Sequence, residues 1–204
     1  GAGSLAITAG NLATLTSLDA SDNAGGVSYT TQVTAETVTL TGGAGNDTLT
    51  GNSGDDVIAG GAGEDTITAG AGNDSIDAGA GNDSITLTSG VNVAEGGAGD
   101  DTIVAGTGND TITDSAGDDV YTLGGNWNST DSITDLSGTD SATVDATGGT
   151  DITGGATSGI ETFTATFDAA SGTVGLANVE GSYLVVLDND GNASTDVAVS
   201  GVSS

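Results

Sequence analysis

Lysine, arginine and histidine are absent from the 204 residues, against 29 Asp and Glu, so the formal net charge is −29 and no side-chain salt bridge can form. Like charges held close in a compact chain repel, so folding needs wide spacing or counterions from solution. Nucleic acid and anionic membrane surfaces, which are met by Lys and Arg, are excluded as partners. Cysteine is absent too. Together these gaps leave no Ser-His-Asp triad, thiol nucleophile, H-E-x-x-H zinc site, Schiff-base Lys or phosphate clamp. Only paired-carboxylate chemistry survives, and it needs a deep cleft that keeps one carboxylate protonated. The chain is therefore expected not to be an enzyme.

No disulfide can staple the fold, Pro and Met are missing, and aromatics make up only 3%. No apolar run is long enough to span a membrane, and there is no basic-then-apolar N-terminal signal. The sequence does not open on Met, so it is expected to be a processed product or a fragment of a longer chain. Few aromatics and high net charge usually signal disorder. Here, however, Ile, Leu and Val recur at a regular interval, which is the mark of a repeat fold. With so few large side chains, burial must come from many thin, stacked layers.

The interval is nine residues. Asp stands at 47, 56, 65, 74, 83, 101, 110 and 119, with Asn92 in the one gap. Two places earlier comes Gly45, Gly54, Gly63, Gly72, Gly81, Gly90, Gly99, Gly108 or Gly117. Two places later comes Leu49, Ile58, Ile67, Ile76, Ile85, Ala94, Ile103, Ile112 or Tyr121. Three columns stay in phase over nine units, which excludes coincidence. The unit is G-G-x-G-x-D-x-U-x, plainest in Gly42-Gly43-Ala44-Gly45-Asn46-Asp47-Thr48-Leu49-Thr50. Its first six places are expected to need positive φ and close approach to a cation, which glycine allows. Its last three form a short strand with the eighth place inward and the seventh and ninth outward. Calcium takes six to eight oxygens from carboxylates and carbonyls, and one Asp per loop with carbonyls of the glycine turn meets that count when shared between stacked loops.

Residues 42–122 resemble the repeats-in-toxin (RTX) family of calcium-binding nonapeptide-repeat proteins. The resemblance implies an all-β, right-handed parallel β-roll or β-helix with two units per turn and calcium ladders, flanked by further β structure. Each loop then stacks on the loop 18 residues away. One ladder runs Asp47, Asp65, Asp83, Asp101, Asp119 and the other Asp56, Asp74, Asn92, Asp110. The expected ligands are these nine residues and the turn glycines Gly43, Gly45, Gly54, Gly61, Gly63, Gly70, Gly72, Gly79, Gly81, Gly97, Gly99, Gly106 and Gly108. Adjacent pairs allow about five to seven Ca2+ ions, weakest beside Asn92, whose amide lacks charge. The unit from Leu87 to Glu95 has also lost its first two glycines but keeps register.

The chain divides into N-terminal β coils or a cap at 1–41, the RTX β-roll at 42–122 and a C-terminal β-rich region at 123–204. In the first, Leu5-Ala6-Ile7, Leu12 to Leu18, Val27 to Val33 and Val38-Thr39-Leu40 read as strands, with Thr39-Leu40-Thr41 continuing the inward column. In the last, Asp131-Ser132-Ile133 echoes the repeat, Phe163 to Phe167 alternates, and Tyr183 to Leu187 reads as a buried strand. The loop Asp188 to Asp196 begins like an EF-hand but lacks its Gly and Glu, and is expected to be a polar hairpin between two strands. Trp127 is expected to pack.

The resemblance, together with the Ser-, Thr- and Ala-rich flanks, implies a calcium-dependent structural module outside the cell. It would be a subunit or segment of a bacterial surface layer, filament or matrix, secreted by the type I route and folding on calcium. Its expected partners are calcium, further copies of itself in a lattice or filament, and cell-surface polysaccharide. The alternative is an adhesin or ice-binding module using a face with Thr48, Thr50, Thr66, Thr68, Ser84, Thr86, Thr102 and Thr122, which Val104 and Val120 interrupt.

Overall fold

The computed structural model describes residues 15–31, 34–123, 127, 130–144 and 157–164 in full, with the backbone of strand segments at 5–7, 145, 152–153, 156, 165–167, 173–175, 179–180, 184–189 and 198–200. Every described strand pairing is parallel, and none of the described residues is helical. Parallel pairing between successive strands of one sheet requires a crossover, and here the crossover is a strand of the facing sheet. The result is a β-solenoid whose coils each contribute one strand to either face.

One sheet holds, in order, Leu5–Ile7, Val27–Thr30, Thr48–Thr50, Thr66–Thr68, Ser84–Thr86, Thr102–Val104, Val120–Leu123, Asp140–Asp145, Ile160–Phe167 and Leu184–Asn189. The facing sheet holds Ser17–Asp19, Thr39–Thr41, Val57–Ala62, Ser75–Ala80, Val93–Ala98, Thr111–Asp114, Ser132–Asp135, Ala156–Ser158 and Val179–Glu180. Thr48 lies opposite Thr66 and Thr66 opposite Ser84, so the coil is two nonapeptides long. The segments either side of 42–122 add strands to these same two sheets, through longer coils. Ser17 faces Thr39, 22 residues on; Thr111 faces Ser132, 21 on; Ser132 faces Ala156, 24 on.

The short strands form because their central residue is branched and apolar while its neighbours are mostly Thr or Ser, a pattern suited to a half-buried pleat. Leu49, Ile58, Ile67, Ile76, Ile85, Ala94, Ile103, Ile112 and Tyr121 line the narrow interior, none more than 3% exposed. Each fully buried Ile contributes about 1.5–3 kcal/mol. The same core continues through Tyr29, Val38 and Leu40 on one side and Trp127, Ile133, Val144, Ile160 and Phe163 on the other. The bulkier side chains lie where the coil lengthens and encloses more space. Thr39–Thr41 extends the inward column as expected, and Trp127 is packed.

Two expectations are corrected. The strands around 188–196 are no hairpin: Leu184–Asn189 pairs in parallel with Ile160–Phe167, and Ala198–Ser200 with Thr173–Gly175 in a separate small sheet. The chain goes on coiling instead of turning back on itself. Residues 190–197, most of that loop, lie outside the described residues, as do 12–14 and 32–33 of the N-terminal strand readings and Tyr183 of the expected buried strand. Positive φ is confined to two of the six loop places and does not cover all six; Gly61 and Gly63, at φ 115° and 118°, are typical.

Candidate metal centre

The loops between strands stack as tightly as the strands do. A β-carbon at Gly45 would sit 2.6 Å from the backbone of Gly25, and at Gly54 2.5 Å from the carbonyl oxygen of Glu36, so these glycines are required by close approach though their φ is not positive. Gly43 and Gly106 are bound in the same way by the carbonyls of Asn23 and Thr88. The other turn glycines named from the sequence, Gly61, Gly63, Gly70, Gly72, Gly79, Gly81, Gly97, Gly99 and Gly108, all have positive φ.

Stacking brings the ladder residues together as the 18-residue coil demands. The backbone N–H of Asp47 donates to Asp65 Oδ1 at 2.7 Å, Asp65 to Asp83, Asp83 to Asp101 and Asp101 to Asp119, each at 2.7 Å. In the second ladder Asp56 donates to Asp74 Oδ1 at 2.8 Å, Asp74 to Asn92 at 3.0 Å and Asn92 to Asp110 at 3.2 Å. All nine are buried. Asn92 Nδ2 also donates to Asp110 Oδ1 at 2.9 Å, so its amide ties down a carboxylate that elsewhere would face another.

Both ladders run further than the nonapeptide does. Asp110 N–H donates to Asp131 Oδ1 and Asp119 N–H to Asp140 Oδ1, both at 2.8 Å across 21 residues. Sequence reasoning missed Asp140 and took Asp131 only as an echo, because three extra residues in the coil break the period. The usable signal was the triplet Asp131-Ser132-Ile133 and its partner Asp140-Ser141-Ala142. An outer ladder was also missed: Asn46, Asp55, Asn73, Asn82 and Asp100, one place before the buried residues, each accept from a backbone N–H one coil on.

What the inner carboxylates lack is a partner for their second oxygen. Asp47 Oδ2 accepts from Gly43 N–H at 2.6 Å and Asp56 Oδ2 from Asn52 N–H at 2.7 Å. Among the described residues, Oδ2 of Asp65, Asp74, Asp83, Asp101, Asp119 and Asp140 is buried with no hydrogen-bond partner. Leaving such a group unsatisfied is costly, more so when it is charged. Burial pushes Asp65 up to about 6 and Asp101 and Asp119 up to about 7, and neighbouring carboxylates add to each shift. Asp74 and Asp83 are also raised by burial. A hard divalent cation fits this donor set: oxygens only, and a buried, uncompensated carboxylate oxygen in the loops of Asp65, Asp74, Asp83, Asp101, Asp119 and Asp140.

The family model of the RTX calcium-binding nonapeptide repeat (4 copies) matches residues 39–67, 60–94 and 95–126. Residues 39–126 are an array of RTX calcium-binding nonapeptide repeats. Neither the curated proteins nor the solved structures contain a match to it. RTX repeats bind calcium, and the residues that would hold it here are the ladder carboxylates with their orphan oxygens. The ion supplies positive charge and a coordination sphere; the protein supplies stacked oxygens at fixed spacing. One consequence concerns Asp83, in the middle of the longer RTX ladder. Asp83→Ala removes the acceptor for Asp65 N–H and a free oxygen shared between two loops, so calcium-saturated protein should lose at least about 1–3 kcal/mol. Asp55→Ala, at an exposed outer place, should stay within about 0.5 kcal/mol. Thermal melts of the two variants in calcium check this; equal losses would remove the distinction.

Proposed function

We propose that this calcium-binding β-roll module is an extracellular structural element, a subunit or segment of a surface layer, filament or matrix that folds on calcium after secretion by the type I route. The observation that supports it is the buried, stacked and cation-free carboxylate ladder. Such a ladder disfavours the fold wherever calcium is scarce, and binding free energy becomes folding free energy. Loops of this kind in extracellular modules bind in the range of about 10⁻⁴–10⁻³ M, far above cytosolic calcium. The chain then stays extended until it is exported. No helix among the described residues is long and apolar enough to cross a membrane.

Assembly follows from the charge left over. Seven ions would bring about +14 against −29, which leaves roughly −15 on the folded chain. Further calcium bridging carboxylates of neighbouring copies, or of an acidic cell-surface polysaccharide, would neutralise that remainder. Circular dichroism and light scattering followed in one calcium titration should show two midpoints, folding below association, and electron microscopy should show sheets or fibres that disperse in chelator. A chain that folds fully yet stays monomeric at saturating calcium overturns the assembly reading.

In that event the second reading gains, a binding module, and one observation favours it. The first sheet carries two files of hydroxyls in register: Ser28, Thr48, Thr66, Ser84, Thr102 and, past Val120, Ser141 and Thr162; beside it Thr30, Thr50, Thr68, Thr86 and, past Val104, Thr122, Thr143 and Thr164. Strands about 4.8 Å apart make this a regular array. Thermal hysteresis in calcium would mark an ice-binding face; retention on immobilised polysaccharide would mark an adhesin.

A further inference from the structure

Two loops depart from the repeat in the same way. Asp114-Ser115-Ala116-Gly117-Asp118-Asp119 and Asp135-Leu136-Ser137-Gly138-Thr139-Asp140 keep the fourth-place glycine and the ladder Asp, but their first place, Gly, Ala or Leu in the other loops, is Asp. That place faces inward. Asp114 alternates with Ile112 and Asp135 with Ile133 on the core side of their strands, and the two stand opposite one another in the sheet. One coil earlier, the equivalent place is Gly96.

Where the first place is glycine, it lies against the ladder carboxylate of its own loop. A β-carbon at Gly60 would strike Asp65 Oδ2, and one at Gly96 would lie 2.6 Å from Asp101 Oδ2 and closer still to Asp114 Oδ2. Where the place is Asp, two carboxylates are therefore forced together inside the coil. Carboxylate oxygens of Asp101, Asp114 and Asp119 lie within 4.8 Å of one another, and so do those of Asp119, Asp135 and Asp140. All five residues are at least 95% buried. Asp101 Oδ2 and Asp119 Oδ2 have no partner, and Tyr121 reaches across the core to donate its hydroxyl to Asp135 Oδ2 at 2.6 Å.

We propose that Asp114 and Asp135, together with the ladder residues Asp101, Asp119 and Asp140, form an interior calcium centre of two adjoining sites bridged by Asp119, added to the loop sites of the nonapeptide and sharing Asp101 and Asp119 with them. Asp114 and Asp135 add −2 beside carboxylates that are already crowded, and no side chain of this protein can balance that charge. The donors are oxygens only, which selects a hard cation. The centre lies where coils of 18 residues give way to coils of 21, and so ties the RTX array to the coils beyond it.

The test counts ions on the full chain at saturating calcium by native mass spectrometry. Asp114→Asn with Asp135→Asn should lower the count by two against the parent and against Asp77→Asn, an exposed control. An unchanged count overturns the proposal and means that the carboxyls share protons instead. Should the double variant fail to fold in calcium, Tyr121→Phe decides, since it keeps all five carboxylates. With terbium in place of calcium it should lose most of the emission sensitised through that tyrosine while the ion count stays the same; undiminished emission overturns the centre. This inference fails separately from the loop reading, which fails only if the parent chain binds no calcium.

Discussion

Stripping calcium at neutral pH is expected to unfold the RTX array, with far-ultraviolet circular dichroism passing from β-rich to disordered and returning when calcium is restored. Two charges 4.8 Å apart interact by about 3 kcal/mol at an effective dielectric of about 20. Three such pairs in one triad reach roughly 10 kcal/mol, as large as the whole net stability of a typical domain, about 5–15 kcal/mol. Opposing this is a core of only one or two apolar side chains per strand, with Ala94 in one of its nine central places. The strands stack in one dimension, so loss of the central coils leaves the outer ones without neighbours. A spectrum already β-rich in excess chelator at neutral pH would sink both this expectation and the account of export that rests on it.

Legibility followed the period. Where coil and repeat share the same length, the sequence alone placed the inward column from Leu49 to Tyr121 and both ladders from Asp47 to Asp119, because each residue's partner lies a fixed number of places away. Where three residues are added to a coil, as between Asp119 and Asp140, local pattern no longer carries the partner's position, and hydrogen bonds across 21 residues were invisible to it. The C-terminal strands show the same limit. Alternation of inward and outward side chains is identical in a hairpin and in a parallel coil, so Leu184–Asn189 could be found as a strand while its partner, Ile160–Phe167, could not. Asp114 and Asp135 were hidden differently: against the repeat they count as lost glycines, and only the fold shows that each loss is also a carboxylate gained beside another.

Glycine was over-read in one respect. A glycine column suggests positive φ, yet Gly45 and Gly54 are required because another strand of backbone passes within 2.6 Å of where a β-carbon would be. The first loops stack on N-terminal coils that lack the ladder Asp, with Val27 and Val38 in its place, donating to Asp47 Oδ1 across 20 residues and to Asp56 Oδ1 across 18. There the carboxylates close on amides at both oxygens. The bare second oxygens begin one coil later, at Asp65 and Asp74.

Acid should replace calcium. Protein freed of metal is expected to regain β structure as the pH is lowered from 7 to about 5, above its isoelectric point of about 4.1. The sign follows from the direction of the shifts. Burial first, and neighbouring carboxylates after it, raise Asp101 and Asp119 to about 7 and Asp65 to about 6; Asp140, beside Asp135 and Glu161, is raised to about 6. In an unfolded chain the same groups titrate near 3.9. Between these values the folded state binds more protons than the unfolded one, so its stability falls as pH rises. The contribution is complete below about pH 4 and is lost as pH passes through 6 to 7. Protons and calcium thus satisfy the same bare oxygens, and calcium added to the acid-folded form should displace protons and lower the pH of an unbuffered solution. Circular dichroism of the stripped chain against pH, with light scattering to exclude aggregated β structure, measures the effect. A stripped chain as disordered at pH 5 as at pH 7 would show that the ladders need the ion's coordination and not merely relief of their charge.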